Sequence, residues 1–295
     1  MPDSRRLLDR RAGVTMVVLC ACWGFQQVAI KLAAPAIPFV LQGALRSAIA
    51  TALLLGWAWQ KRIPLWNRDG TLGAGLLAGT AFALEFALIY AGLAYTTAGR
   101  MIVFLYLAPC LTALGLSLWV PGERLRIVQW AGILVAFAGV AFAFGEGGSG
   151  PSTLLGDAFG VLAATLWAGT TVLIRSTKLG GASATKTLFY QLGVSALLLP
   201  LASIALGEGP VAAWTPLAVA SLAYQAAVVA FASYLAWFWL LTRYLAGRLA
   251  VFSFLTPLFG VSFATLLLGE PLTLRFAGAA GLVVVGIALV NLRRE

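Results

Sequence analysis

Histidine is absent from this 295-residue chain, and charged residues make up only 10% of it. Without histidine there is neither a His-activated nucleophile nor a His-ligated metal site. No paired acidic motif lies inside the apolar runs and no Walker-type phosphate loop occurs, which argues against an intramembrane hydrolase and against ATP coupling by this chain. A filter-like loop or ring of charges, the signature of a channel, is also missing. Cysteines number three, and Cys20, Cys22 and Cys110 all fall in apolar runs, where they read as small hydrophobes rather than a disulfide framework. The composition predicts a protein that is not an enzyme and holds no metal or cofactor.

What is present is hydrophobicity. Hydrophobic residues reach 61% and the mean hydropathy is +0.94, far from the soluble average of about 25% charged residues. The pattern predicts an all-α, polytopic membrane protein with no soluble domain. The net charge of +10 is scattered singly through short loops and forms no nucleic-acid-binding patch.

A bilayer core of about 30 Å needs about 20 apolar residues per helix. That length places ten transmembrane helices at about 13–33, 38–59, 72–93, 98–119, 127–145, 155–178, 184–206, 214–241, 246–268 and 275–292. The first run is too long and too poor in small residues at its end for a removable signal peptide, so it reads as the first helix. Ten spans leave both termini on one side, and sixteen Lys and Arg fall there, including Arg5, Arg6, Arg10 and Arg11 in the tail and Lys61, Arg62 and Arg68 in the next loop. The opposite side holds Lys31, Arg100 and Arg275, so the positive-inside rule predicts N-in and C-in.

The chain repeats itself. "AGRMIVFLYLAP" at 98–109 and "AGRLAVFSFLTP" at 246–257 agree at seven of twelve positions, where unrelated apolar segments share roughly one or two. "GERL" (122–125) answers "GEPL" (269–272), Gly139 answers Gly286, and "WGFQQVAIK" (23–31) aligns with "WAGTTVLIR" (167–175). The chain divides into two five-helix repeats, 1–147 and 148–295. Five is odd, so the second repeat is inverted in the membrane.

These motifs, a Trp followed by Gly or a polar residue in the first helix of each half, a Pro in the fourth and Gly-Glu just after it, resemble the EamA-type ten-helix carriers of the drug/metabolite transporter superfamily. Over its whole length the chain is similar to YddG-type amino-acid exporters. The resemblance implies a secondary transporter of the bacterial inner membrane that exports amino acids or related small metabolites. Efflux of aromatic or cationic drugs is the alternative. Inverted repeats suit alternating access around a midplane site, and one chain supplies both halves, so a monomer suffices.

Candidate site residues follow from chemistry at depth. Pro109 and Pro257 sit in equivalent places of the fourth and ninth helices, where each predicts a kink, either a hinge or a static bend. Arg46 and Glu85 are the charges far from helix ends, each about eight residues and ~12 Å from the outer end. Such charges must face protein or water. Three roles are open to the pair: a structural salt bridge, capture of a zwitterion with its ammonium on Glu85 and carboxylate on Arg46, or proton transfer by Glu85. The repeat sets Ser233 opposite Glu85 and Ser195 opposite Arg46. Trp23, Gln26 and Gln27 share one helix face with Ile30, and Trp167, Thr170, Thr171 and Ile174 repeat it; both faces predict cavity lining or interhelical hydrogen bonds. Tyr234, Trp237 and Phe238 form an aromatic stripe, with Tyr90 near the outer end of the third helix. Trp66 and Trp214 read as interfacial anchors. Glu123 and Glu270 fit ion pairing or helix capping and stay outside the substrate site.

Overall fold

The computed structural model describes residues 9–120, 124–145, 151–244, 249 and 251–291. All regular elements among them are helical: α1 (Arg10–Ala33), α2 (Phe39–Gln60), α3 (Leu72–Gly92), α4 (Ala98–Leu105), α5 (Ala108–Trp119), α6 (Ile127–Gly145), α7 (Pro151–Ser176), α8 (Ala184–Ala205), α9 (Pro216–Ala223), a π-helical stretch (Tyr224–Ser233), α10 (Tyr234–Arg243), α11 (Leu255–Leu268) and α12 (Leu274–Asn291). Nine helical runs among the described residues are long and apolar enough to cross a membrane; the shorter apolar run Phe252–Leu268 occupies the place of the expected ninth helix. The first part of that expected helix, at 246–248 and 250, lies outside the described residues.

Polar residues at the edges of the apolar runs start the helices. The side chains of Asp9, Thr97, Ser183 and Thr215 accept from the backbone N–H groups of Ala12, Arg100, Lys186 and Ala218, which would otherwise lack partners at the helix ends. Helix α2 ends in a Schellman-type turn, with Ile63 N–H on the Ala58 carbonyl and Arg62 N–H on that of Trp59. Arg62 occupies the left-handed position of that turn at φ 53°, a conformation costing a non-glycine residue about 1–2 kcal/mol.

The fourth predicted helix is broken rather than bent. α4 stops at Leu105 and α5 restarts at Ala108, so Pro109 stands in the first turn of a new segment, where its missing N–H costs nothing. Pro257 does the same in α11, directly after a 3-10 turn at Val251–Phe254. The eighth predicted helix runs continuously from Pro216 to Arg243, but its centre is wound as π-helix.

The most extensive packing joins the first half to the second. α6 lies along α12, α2 along α8, α3 along α7 and α8, and α1 and α4 along α11. Small residues permit the closest of these: a Cβ on Gly132 would come 2.8 Å from the Gly286 carbonyl, and one on Gly286 would come 2.6 Å from Ala136. Close approach of this kind replaces the hydrophobic drive that a lipid solvent does not supply. Contacts between helix ends sort them onto two faces: Asp9 meets Tyr244, Asp69 meets Lys186 and Gln129 meets Val290 on one, and Val40 meets Glu208, Ala98 meets Glu270 and Thr96 meets Asp157 on the other. The near face carries the start of α1 and the ends of α2, α5 and α12; the far face carries the starts of α2, α4 and α7.

Candidate functional site

A cavity of about 940 Å³ runs inward between the halves. Its mouth is bordered by Arg124, Arg126, Gln129 and Asn291, which belong to the near face. Its walls carry Trp23, Gln26 and Gln27 of α1, Glu85, Phe86 and Ile89 of α3, Tyr106 and Pro109 at the α4–α5 break, Trp167 and Thr171 of α7, and Tyr234 and Trp237 of α10. Aromatic rings meet edge-on along it, Trp23 with Trp237 at 6.0 Å and Tyr106 with Trp167 at 5.6 Å. Trp23 is fixed further by its indole N–H, which donates to Ser233 Oγ at 2.8 Å, and Ser233 donates in turn to the Val229 carbonyl.

Glu85 is the acidic residue lining the cavity. It is 5% exposed, and its Oε2 has no hydrogen-bond partner. Arg46 is fully buried, does not line the cavity, and lies with its guanidinium 4.1 Å from the centre of the Phe86 ring. None of its side-chain nitrogens has a hydrogen-bond partner among the described residues. Phe86 therefore stands between Arg46 and the cavity, and among the described residues no hydrogen bond joins Arg46 to Glu85. Gln27 Oε1 is a second buried acceptor at the cavity wall without a partner.

Between the cavity and the far face lie buried polar contacts that do not themselves line it. Tyr90 donates to Gln225 Oε1 at 2.6 Å, Gln225 donates to Gln42 Oε1 at 3.0 Å, and Gln42 donates to the carbonyls of Ile30 and Ile37. Three further links tie the halves together at that face. Arg100 grips Asp157 through Nε, at 3.1 Å to Oδ2, and through Nη2, while Thr96 donates to the same carboxylate at 2.6 Å. Glu270 accepts from the N–H groups of Ala98 and Gly99 at the start of α4, and Glu208 accepts from those of Val40 and Leu41 at the start of α2. Both carboxylates cap helix N-termini, where the backbone donors and the helix dipole favour negative charge. The cavity is thus open on the near face and sealed on the far one.

Of the residues expected at a site, Glu85, Trp23, Gln26, Gln27, Trp167, Thr171, Tyr234, Trp237 and Pro109 meet around this cavity. Arg46 is screened behind Phe86, Thr170 is buried without lining the cavity, and Pro257 is buried in α11. The side chain of Phe238, and Glu123 altogether, lie outside the described residues. Ser195 donates to the Gln191 carbonyl within its own helix. Sequence reasoning passed over Gln42, Gln225, Phe86 and Tyr106. The glutamines carried a usable signal, since uncharged amides inside apolar helices must find partners.

A profile of the EamA-like transporter family matches the chain twice, at residues 11–145 and 154–292. Full-length relatives include the "Uncharacterized transporter YvbV" of Bacillus subtilis, 26% identical over 99% of this chain and 95% of that one. A "Probable amino-acid metabolite efflux pump" of Escherichia coli is 26% identical over 95% of this chain and 94% of its own, and its namesake in Salmonella typhimurium is 28% identical over the same shares. A solved crystal structure superposes with a TM-score of 0.67 at 22% identity, covering 95% of this chain and 97% of that one, which establishes a shared fold.

Proposed function

The chain belongs to the EamA-like transporter family, and from that premise we propose that it is a secondary carrier exporting amino acids or related small metabolites across the bacterial inner membrane by alternating access. The observation that carries the reading is the one-sided cavity lined by Glu85, a buried carboxylate with a partnerless oxygen among aromatic walls. A carboxylate so placed attracts a cationic group. With Arg46 behind Phe86, the substrate ammonium meets Glu85 and its carboxylate meets the neutral amide donors of Gln26 and Gln27. The names of the Escherichia coli and Salmonella relatives support the substrate class.

The near face carries the basic excess, so it is cytoplasmic and the cavity faces inward. Two successive family matches support a duplicated chain with ten spans, the second five inverted. Exchange of conformation between such halves reverses the open face. The repeat also names a contact that must change. Trp23 bonds Ser233 here, and the residues answering them are Trp167 and Glu85. In the outward-facing state Trp167 donates to Glu85, displacing the substrate ammonium and favouring release.

The test uses the cavity's own fluorophores, Trp23, Trp167 and Trp237. Purified protein is titrated with a panel of amino acids and of aromatic cations, and indole emission is followed. Saturable quenching by amino acids, weakened about tenfold or more in Glu85→Gln as expected for a charge-assisted contact, is the predicted result. Quenching by aromatic cations alone moves the assignment to drug efflux.

A further inference from the structure

Helix α2 ends with an arginine where glycine is the favoured residue. The left-handed C-terminal position of a Schellman turn is usually glycine because a Cβ is strained there, and Arg62 is the single non-glycine residue with positive φ among the described residues. Its exposed side chain lines a groove of about 1010 Å³ between the last turns of α2 and the loop that follows. No acidic residue among those described lines that groove. Among the described residues no carboxylate pairs with Lys61, Arg62 or Arg68, and Asp69, the acid of this loop, is engaged by Lys186 at 2.8 Å.

The rest of the groove is built for an amphiphile. Trp59 and Trp66 flank it and are 86% and 79% exposed, as indole rings are at the level of lipid headgroups. Leu55 and Ala58, one turn or two toward the membrane interior, supply an apolar floor. The outer wall is held in place: Trp66 meets Phe189 of α8 edge-on at 5.2 Å, and Lys186 of α8 bonds the carbonyl and side chain of Asn67. A cation, two interfacial indoles and an apolar floor, on the face carrying the basic excess, match a phosphate-bearing headgroup and the upper part of its acyl chain.

We propose that this groove binds an anionic phospholipid, with Arg62 on the phosphate and the acyl chain along α2. The strained backbone at Arg62 is retained because the turn must present that guanidinium. Substitution by glycine separates the two roles, since Arg62→Gly relieves the backbone while removing the cation.

Native mass spectrometry in mild detergent, with phosphatidylglycerol, phosphatidylcholine or inorganic phosphate added, reads occupancy directly, and thermal melting under the same conditions reads its effect. Wild type is expected to retain phosphatidylglycerol over phosphatidylcholine. Arg62→Gly is expected to melt no lower than wild type without added lipid and to hold phosphatidylglycerol about fivefold less, the worth of one interfacial cation. Arg62→Lys restores most of the occupancy. Equal retention of phosphatidylglycerol by wild type and Arg62→Gly, equal retention of the two lipids, or full stabilisation by inorganic phosphate would each overturn the proposal.

Discussion

Glu85 and Arg46 show how far a residue's chemistry can be carried without its orientation. Both stand out in the sequence because ionisable groups deep in apolar helices are costly and therefore purposeful. The side each presents to its neighbours is decided by packing: Glu85 reaches the cavity, whereas Arg46 is stopped by the Phe86 ring. Gln42 and Gln225, which meet across 183 residues of chain, are marked in the sequence only as amides inside apolar helices, a signal that a partner is needed but not of which one. Outside the spans, the Asp69 carboxyl is held below the usual carboxylate range, first by the hydrogen bond from Lys186 and then by that from Thr71. A depressed carboxyl contributes stability that is complete above its unfolded value of about 3.9 and is lost as pH falls through the folded value. The difference in thermal midpoint between wild type and Asp69→Asn is therefore expected to be largest at neutral pH and to shrink below about pH 4. A difference constant with pH would leave Lys186 without an electrostatic role.

Small residues, proline and winding decide what the helices do. Gly139 and Gly286 were visible as a repeated pair, and the structure gives Gly286 a physical task, since a side chain there would strike Ala136. Gly286→Val is expected to destabilise the α6–α12 pair by about 1–3 kcal/mol, the usual cost of overpacking. Gly281→Val on the same helix, where a Cβ meets nothing within 4 Å, is the control. Equal melting of the two variants in detergent would mean that the α6–α12 contact does not limit stability. Pro109 and Pro257 marked the right places for discontinuities, because a missing N–H and a ring clash cannot be accommodated mid-helix without cost. Their form, a restart with proline in the first turn, depends on what packs around Tyr106 and Phe254 and is not encoded by proline alone. The π-helical Tyr224–Ser233 had no sequence mark at all. It adds residues to each turn beside the cavity and carries both Gln225 and Ser233, in keeping with the tendency of π-winding to occur at functional sites.

For the whole molecule, the proposed exchange between two inverted repeats makes one conformation a guide to the other. The far face is sealed by Arg100 on Asp157 and by Glu208 and Glu270 on the N-termini of α2 and α4, all of them contacts that join the two halves. The proposed alternating access requires that opening of that face break them together while the near face closes, and that Trp167 take the place Trp23 holds now. Trp167→Phe keeps the aromatic wall but removes the N–H, so substrate binding from the near face is expected to stay within about twofold while turnover slows by about tenfold or more, the worth of one hydrogen bond to a charged group. Loss of binding and turnover in the same proportion would assign Trp167 to the substrate contact alone.

The most direct measurement is counterflow in liposomes. Protein is reconstituted with unlabelled amino acid inside, labelled amino acid is added outside, and wild type is compared with Glu85→Gln. Saturable uptake stimulated by internal amino acid, and reduced about tenfold or more in Glu85→Gln, is the result expected of an alternating-access carrier whose site is built on that carboxylate. Flux that neither saturates nor responds to internal substrate, or that is untouched by Glu85→Gln, would contradict it.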